Sequence, residues 1–359
     1  MTDHRSARQA RVRGALPPGA TLLVTQLPNI RWLTGFSGSA AVLVLAPDRA
    51  TLLTDFRYAA QAPEEAGDSA DVIVDRANIW DRLQRLLGDV GCDSLAIESH
   101  VMSVRDAERV GGMVGGRLIP LAEVVEGLRQ VKDEGELAAI RAAGSLAAEA
   151  LESVLPTIRA GDREIDVAVR LEAALRHRGS IWHPFQTIVA SGPRAALPHA
   201  RASDRQIGRG EFVLIDFGAQ VAGYCSDITR TVGMGKLDER QRAVYQLVRE
   251  AQQRACSGLR AGMTGREGDA LARDVISARG YGDAFGHSLG HGLGLEVHEA
   301  PRLAATAEAR LPLGTVVTVE PGIYLAGWGG VRLEDDVWLG PDGPALLTNG
   351  QTELIILDA

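Results

Sequence analysis

The feature that most constrains how this chain can fold is a set of acidic residues placed where apolar strands end. Asp216 closes the apolar run 212–215, and Glu320 closes the largely apolar run 315–319. Burying an unpaired carboxylate is costly, so each of these acids needs a compensating group. The sequence therefore predicts two buried strands that each deliver a carboxylate to a site holding positive charge.

A third acid, Asp227, lies in a segment with strand alternation shortly after Asp216. The period of two places Asp227 and Thr229 on the same face of this strand, where the hydroxyl can support the carboxylate. A hairpin joining the two segments would bring Asp216 and Asp227 together.

The fourth acid, Glu334, lies in the alternating segment 331–337, on the same face as Arg332. One such acid is more commonly a strand-edge or turn residue that faces water, but four acids of this kind are not explained in that way. Clustered carboxylates repel one another and are held ionised by arginine or by multivalent cations. The four acids together indicate a metal site.

Histidines supply the remaining ligand type. His287, His291 and His298 lie with four glycines in residues 285–298. Glycine buries no side chain and permits close backbone approach, so this composition favours a site over core packing. His199 ends a turn-rich loop of the kind that carries functional residues.

Residues 286–290 also match the pattern of a serine nucleophile elbow, with Ser288 at its centre. That motif requires a strand before the serine and a helix after it. The glycine-rich stretch that follows Ser288 predicts no helix, so we set the serine-hydrolase interpretation aside.

The pattern along the chain predicts an α/β (α+β) protein of two domains. Short apolar strands alternate with helical segments over 21–121, which is typical of a mixed sheet. A helical repeat follows, in which the motif around Ala160 recurs around Ala261 and indicates two pseudo-symmetric halves. We place the domains at residues 1–127 and 128–359.

Composition excludes several other classes. The 359 residues include 46 acidic and 38 basic side chains, a net charge of −8 that offers no basic surface to nucleic acid. No apolar run approaches the length of a spanning helix, so we expect no membrane association. Three scattered cysteines and the absence of a secretory signal predict a cytoplasmic protein.

Taken in order, the candidate ligands resemble the dinuclear metal site of the pita-bread metallopeptidases. Motifs around 185–199, 226–231, 290–299 and 319–324 are similar to the Xaa-Pro peptidase branch, which contains aminopeptidase P and prolidase. The resemblance implies a pseudo-symmetric pita-bread catalytic domain after a domain similar to the creatinase/prolidase N-terminal domain. The candidate metal ligands are Asp216, Asp227, His291, Glu320 and Glu334.

The resemblance also implies roles. Two divalent ions are expected, Mn²⁺ first and Co²⁺ or Zn²⁺ as alternatives, because oxygen ligands with one imidazole suit these metals. Asp216 and Glu334 would bridge them, Asp227 would complete one site, and His291 with Glu320 the other. The remaining implied roles are Glu320 as general base, His199 and His298 as partners of the substrate carbonyl, Phe185 and Val297 as lining of a proline pocket, His287 as a substrate-facing histidine, Arg332 as a support for Glu334 and Thr229 as a support for Asp227.

Substrate length is the open choice within this branch. Several dipeptide-specific members hold the substrate carboxylate with an arginine where this chain has Ser288, and they carry a longer loop where residues 35–43 lead directly into a strand. We therefore expect an aminopeptidase P that acts on peptides with proline at the second position. A prolidase, with Arg302 or another residue as the missing cation, is the alternative. The resemblance also implies a homodimer, and a non-catalytic peptide-binding relative remains a further alternative.

Overall fold

The structure is a computed structural model that describes residues 2–92, 94–114, 117–348 and 350–358. The chain divides into two compact units, Met1–Arg129 and Gln130–Ala359. None of the helices within the described ranges combines the length and the apolar character needed to cross a bilayer. The expected α/β class is confirmed.

In its described residues, the first unit contains six helices and six strands. The helices are α1 (Thr2–Ala15), α2 (Leu27–Thr34), α3 (Gln61–Ala66), α4 (Ile79–Asp89), α5 (Val104–Met113) and α6 (Val124–Arg129). The strands are β1 (Thr21–Val24), β2 (Ala41–Leu45), β3 (Ala50–Asp55), β4 (Asp71–Asp75), β5 (Ser94–Glu98) and β6 (Arg117–Leu121).

These strands form one mixed sheet in the order β4-β3-β2-β1-β5-β6. β2 runs antiparallel to β1 and β3, whereas the β3–β4, β1–β5 and β5–β6 pairs are parallel. α4 begins after Asn78, whose side chain accepts a hydrogen bond from the Trp80 amide. The apolar face of α4, with Leu83 and Leu87, packs into the core against the sheet. The mixed sheet is the one that the sequence predicted.

The second unit contains four helices and thirteen strands in its described residues. The helices are α7 (Glu134–Val154), α8 (Glu164–His177), α9 (Glu239–Gly258) and α10 (Gly265–Ala278). The strands are β7 (Ile188–Ser191), β8 (Glu211–Phe217), β9 (Gln220–Val221), β10 (Tyr224–Cys225), β11 (Ile228–Met234), β12 (Gly290–Gly292), β13 (Glu299–Leu303), β14 (Val316–Val319), β15 (Gly322–Leu325), β16 (Gly329–Arg332), β17 (Asp335–Gly340), β18 (Gly343–Leu346) and β19 (Ile356–Leu357).

Two sheets of this unit each pack against a pair of helices. The sheet β19-β11-β8-β7 shares a core with α7 and α8, and the sheet β13-β12-β14-β17-β18 shares a core with α9 and α10. α7 begins with a capping box in which Asp133 and Glu136 satisfy each other's backbone amides. Each half of the unit is therefore a sheet covered by two helices.

The two halves repeat each other in their backbone bonding as well as in their layers. Before α8, the Gly161 amide donates to the Ile207 carbonyl at 2.8 Å. Before α10, the Gly262 amide donates to the Leu311 carbonyl at the same distance. These glycines occupy corresponding places in the sequence repeat, so the expected pseudo-symmetry is confirmed.

Candidate metal centre

Asp216 lies within β8, as the sequence predicted, and its partner across the antiparallel β8–β11 pair is Thr229. Asp227 lies one residue before β11 begins. Its backbone amide donates to the buried Asp336 carboxylate at 3.1 Å and makes no ladder bond. The two aspartates therefore lie at the same end of the strand pair, but the expectation that Asp227 lies on the strand is wrong.

The two glutamates come from the second half. Glu320 follows β14, and its amide donates to the Leu289 carbonyl at 2.8 Å. Glu334 lies between β16 and β17, and its amide donates a hydrogen bond to the Thr229 carbonyl at 3.1 Å. The Thr229 hydroxyl donates to Glu334 Oε2 at 2.5 Å. Because Asp227 lies outside the strand, Thr229 supports Glu334 and not Asp227 as the alternation had suggested.

His291, in β12, faces this group of acids. Its Nε2 lies 3.5 Å from Glu320 Oε1 and 3.8 Å from Asp227 Oδ2. Its Nδ1 lies 3.0 Å from the Gly292 carbonyl oxygen, which can only accept, so the proton resides on Nδ1 and the Nε2 lone pair faces the acids. Burial lowers the pKa of His291 to about 4. The ring is therefore a neutral nitrogen ligand at physiological pH.

These residues fit a divalent cation. Ligand atoms of Asp227, His291 and Glu334 all lie within 4.8 Å of one another. Asp216 Oδ1 and Asp227 Oδ1 are buried and have no hydrogen-bond partner in the described part of the chain. Buried carboxylate oxygens without partners are costly, and a hard cation satisfies them.

Electrostatics leads to the same conclusion. Burial, and then the charges of Glu334 and Asp216, raise the pKa of Asp227 well above its ordinary value. Burial and the Glu320 and Asp216 charges do the same to the pKa of Glu334. Burial raises the pKa of Glu320 to about 8, against the opposing charge of Arg332. The acids thus lie where full ionisation requires additional positive charge.

Arg332, in β16, is buried beside the acids. Its Nη2 donates to Asp216 Oδ2 at 2.5 Å and its Nε donates to the Thr229 hydroxyl at 3.0 Å. The sequence suggested that Arg332 supports Glu334. The structure shows that it reaches Glu334 only through Thr229 and that its direct partner is Asp216. Glu334 lies beyond the end of β16, whereas the guanidinium contacts Thr229 and Asp216, which pair across β8 and β11.

Tyr324 is a central residue that the sequence reasoning did not single out. Its hydroxyl accepts a hydrogen bond from Arg332 Nη1 at 2.8 Å and lies 2.9 Å from His287 Nε2. His287 Nδ1 faces the Ser288 carbonyl at 2.7 Å, so Nε2 accepts the proton of Tyr324. Tyr324 closes the motif 319–324 that also contains Glu320, a signal that could have identified it.

The other two candidate histidines lie at the surface of the site. The His298 ring centroid lies 4.4 Å from that of His291, and partial burial lowers the pKa of His298. His199 is exposed, and the carbonyl of its neighbour Pro198 accepts a hydrogen bond from Arg332 Nη1 at 3.3 Å. A positive charge on His199 would lower the pKa of both Asp216 and His298. Both histidines thus lie beside the candidate ligands.

The expected pocket residues are placed as follows. Phe185 is half-buried, and its ring lies 3.2 Å from the position that a Cβ on Gly218 would occupy. Val297 is half-buried against a small apolar cluster. Arg302 is exposed and lies opposite His291 in the β12–β13 pair. Among the described residues, the Arg302 side chain has no recorded ion pair or hydrogen bond.

Buried groups behind the acids were also missed by the sequence reasoning. Arg230 donates to the Glu334 carbonyl at 2.6 Å and to Asp335 at 2.8 Å. Asp336 accepts from the Asp227 amide. These contacts fix the backbone at two of the candidate ligands, Asp227 and Glu334.

Comparison with known proteins places this geometry in a family. Residues 138–341 match the model of metallopeptidase family M24, and residues 20–131 match that of the creatinase/prolidase N-terminal domain. The chain belongs to metallopeptidase family M24. The resemblance seen in the sequence is therefore confirmed, with the pita-bread fold that it implied.

Several relatives match almost the whole M24 chain. An Xaa-Pro dipeptidase of Pyrococcus horikoshii is 36% identical over 93% of this chain and 94% of its own length. The structure of an Xaa-Pro dipeptidase from Bacillus anthracis has a TM-score of 0.95 at 40% identity, covering 98% of this chain and 100% of its own. The structure of an X-Pro aminopeptidase from Thermotoga maritima has a TM-score of 0.88 at 38% identity, covering 94% and 95%.

Proposed function

We propose that this M24 chain hydrolyses the peptide bond between an N-terminal residue and a following proline. The observation that carries the proposal is the convergence of four acids and one neutral imidazole around unpaired, buried oxygens of Asp216 and Asp227. The substrate class is supported by the relatives, whose names specify Xaa-Pro or X-Pro.

The centre is proposed to hold two divalent metal ions. The residues that would hold them are Asp216, Asp227, His291, Glu320 and Glu334. Mn²⁺ is the first candidate, with Co²⁺ and Zn²⁺ as alternatives. When bound, such ions polarise a carbonyl group and make water a nucleophile near neutral pH.

The proton steps are assigned to residues at the edge of this centre. Glu320 accepts a proton from the attacking water and passes it to the departing proline nitrogen. His199 and His298 would donate hydrogen bonds to the carbonyl oxygen as negative charge develops there. Arg332, fixed by Tyr324 and Thr229, holds Asp216 in place.

Substrate recognition is assigned to the surface around the centre. Phe185 and Val297 are proposed to line the proline pocket, since both are half-buried, Phe185 beside Gly218, which follows Asp216 by two residues, and Val297 next to His298 in the sequence. His287 is held by Tyr324 and Ser288 and is proposed to shape the pocket from the other side. Arg302 is the exposed cation closest in the β-ladder to His291.

Two substrate lengths are supported by different observations. Arg302 without a partner in the described chain could bind a substrate carboxylate just after the proline, and the dipeptidase names of two of the relatives above favour this reading. Ser288 and the short 35–43 segment favour longer peptides, as does the aminopeptidase name of the Thermotoga relative. We propose dipeptides as substrates of this site, while the aminopeptidase P activity expected from the sequence stays a prediction.

The deciding experiment compares cleavage of Ala-Pro and Ala-Pro-Ala by Mn²⁺-loaded protein, with a chelator control for each. Cleavage of the dipeptide alone supports a prolidase, and cleavage mainly of the tripeptide supports an aminopeptidase P. Absence of metal-dependent cleavage of both peptides would favour the non-catalytic, peptide-binding alternative.

Two properties implied by the resemblance complete the proposal. A homodimer is expected, with a mass in solution near twice the 38.2 kDa of one chain. Light scattering on the purified protein tests this. A cytoplasmic location agrees with the small number of cysteines, three, scattered along the chain, and fractionation of cells tests it.

A further inference from the structure

A buried carboxylate binds both ends of the loop that carries His199. We call residues 191–203 the histidine strap. Glu164, at the start of α8, is fully buried and accepts five hydrogen bonds from this strap. The donors are the Ser191 amide (2.8 Å) and hydroxyl (2.8 Å), Arg194 Nε (3.0 Å), and the Ser203 amide (3.2 Å) and hydroxyl (2.6 Å).

These contacts join the two ends of the histidine strap. Ser191 begins it and Ser203 ends it, and both bind the same carboxyl group. Within the strap, Arg194 Nη2 also donates to the Arg201 carbonyl at 2.5 Å. Glu164 therefore closes the strap into a loop of fixed width, and His199 lies within this loop, away from the carboxylate-bound ends.

The strap is also seated against β16, which carries Arg332. A Cβ on Gly330 would lie 2.2 Å from the Ala195 carbonyl oxygen, so only glycine allows this approach. Arg332 donates to the Pro198 carbonyl, one residue before His199. If Ser191 and Ser203 moved apart, the strap would lose its contacts with Gly330 and Arg332, and His199 would move relative to Asp216.

The second half of the unit has no carboxylate at the position that corresponds to Glu164. At the place equivalent to Glu164 in the repeat stands Gly265, whose Cβ would lie 2.1 Å from the Arg302 carbonyl. Close backbone packing there replaces the carboxylate. The contacts of Glu164 are therefore particular to the His199 side, while the second half ties its own loop through the buried Asp269, which accepts the Leu289 amide at 3.0 Å.

We propose that Glu164 is a positioning residue that holds the histidine strap in the shape that presents His199 to the substrate. This inference rests on the proposed function for the role of His199, but the contacts on which it stands are independent of that role. Small misplacements of a catalytic group are costly, so releasing the strap lowers kcat/KM by about 10- to 100-fold.

The first test measures the strap itself by hydrogen–deuterium exchange in Glu164→Gln, which keeps the shape of the side chain but replaces one acceptor oxygen with a donor group. Faster exchange confined to residues 191–203, with unchanged exchange in β8 and β11, is expected. Asp162→Asn is the matched control, because Asp162 binds Arg170 and the Arg159 amide but does not touch the strap. Exchange in Glu164→Gln equal to that of the control overturns the proposal.

The second test is a double-mutant cycle on Xaa-Pro cleavage with Glu164→Gln and His199→Ala. If Glu164 acts through His199, Glu164→Gln lowers kcat/KM in the wild-type background and has little further effect once His199 is alanine. An equal loss in both backgrounds means that Glu164 serves the fold only, and it overturns the proposal.

Two further outcomes, a variant that does not fold and a wild-type protein without activity, are distinguished from failure of the proposal. If Glu164→Gln does not fold, Ser203→Ala takes its place in both tests, since it removes the hydroxyl bond to Glu164 and the bond that this hydroxyl accepts from the Arg205 amide, and leaves the carboxylate in place. An unaltered strap then overturns the proposal. If the wild-type protein cleaves no Xaa-Pro peptide, the proposed function fails while the exchange test still decides whether Glu164 holds the strap.

Discussion

Arg332 donates a hydrogen bond of 2.5 Å to Asp216, and both side chains are withdrawn from solvent in the middle of the acidic cluster. The guanidinium balances one of four carboxylates and leaves an excess of negative charge that divalent cations are suited to balance. Its fork also reaches Thr229 and Tyr324, so one cation fixes groups from both halves of the second unit.

Replacing Arg332 with methionine should leave Asp216 buried without its ion partner. Removing one partner of a buried ion pair costs about 3–5 kcal/mol, so we expect the free energy of unfolding of the metal-free protein to fall by this order. Arg332→Lys keeps the charge but cannot form the fork, and should recover only part of the loss. Urea titrations of the three chelated proteins measure the effect. Equal midpoints would show that Arg332 does not stabilise the cluster.

Replacing a candidate ligand should abolish metal binding and turnover together. In Asp227→Ala or His291→Ala, the bound metal measured by elemental analysis after dialysis should fall, and cleavage of Xaa-Pro peptides should be lost. Glu98→Gln is the control, since Glu98 is a buried carboxylate of the first unit and accepts from the Thr25 and Gln26 amides. Retained activity in Asp227→Ala and His291→Ala would contradict the five-ligand assignment.

Local sequence pattern was sufficient for part of this site. Asp216 and Glu320 follow directly from an acid at the end of an apolar strand, and His291 from its glycine-rich surroundings. Alternation failed at Asp227, because a side chain, Asp336, takes the backbone amide that a regular strand would use. The fold class was also predictable from local pattern, since the alternation of strands and helices can be seen in short segments of the sequence.

The partners of these residues were not predictable from local pattern. Thr229 meets Glu334 across 105 positions of sequence, and Arg230 meets Asp335 across the same separation. Such contacts depend on how the two halves close on each other. No period within either strand contains that information.

Metal removal should change how stability depends on pH. In the metal-free protein, burial raises the pKa of Glu320 to about 8 and the pKa values of Asp227 and Glu334 well above their ordinary values. The folded state then binds more protons than the unfolded state, so the free energy of unfolding falls as pH rises from about 4, the ordinary carboxyl value, to about 8.

Metal binding should remove this dependence, because it requires the ionised acids. Melting temperatures at pH 5, 6, 7 and 8, with chelator and with Mn²⁺, measure both curves. The stabilisation by Mn²⁺ should grow with pH over this interval. Parallel curves with and without metal would contradict the placement of the metal at these acids.

Tyr324→Phe should weaken the site without unfolding it. The change removes a hydroxyl that accepts from Arg332 and donates to His287. Lost hydrogen bonds of this kind cost about 1 kcal/mol each, and we expect a lower kcat because Arg332 and Asp216 lose a fixed position. Tyr281→Phe is the control, since Tyr281 is a half-buried tyrosine packed against the core of α9 and α10, whereas Tyr324 packs against the cluster of Ala195 and Leu214. Equal kcat in both variants would show that Tyr324 does not support the reaction.

Arg302→Met should separate the two proposed substrate lengths. Methionine keeps an unbranched apolar stem but removes the charge that could bind the carboxylate of a dipeptide. If Arg302 makes that contact, KM for Ala-Pro should rise by about tenfold or more, the scale of a hydrogen bond to a charged group, while KM for Ala-Pro-Ala changes little. Arg266→Met is the control, since Arg266 is an exposed arginine paired with Glu308.

The arrangement of charge gives the reason for this selectivity. Arg302 lies opposite His291, so its guanidinium belongs to the surface around the centre. Arg332 and Arg230 form ion pairs with Asp216 and Asp335, whereas Arg302 forms no ion pair with a described residue. The carboxylate of a dipeptide follows the proline directly, whereas in a tripeptide that position is a neutral amide. An equal rise of KM for both peptides would mean that Arg302 contributes only general attraction, and the preference for dipeptides would then have to come from another residue.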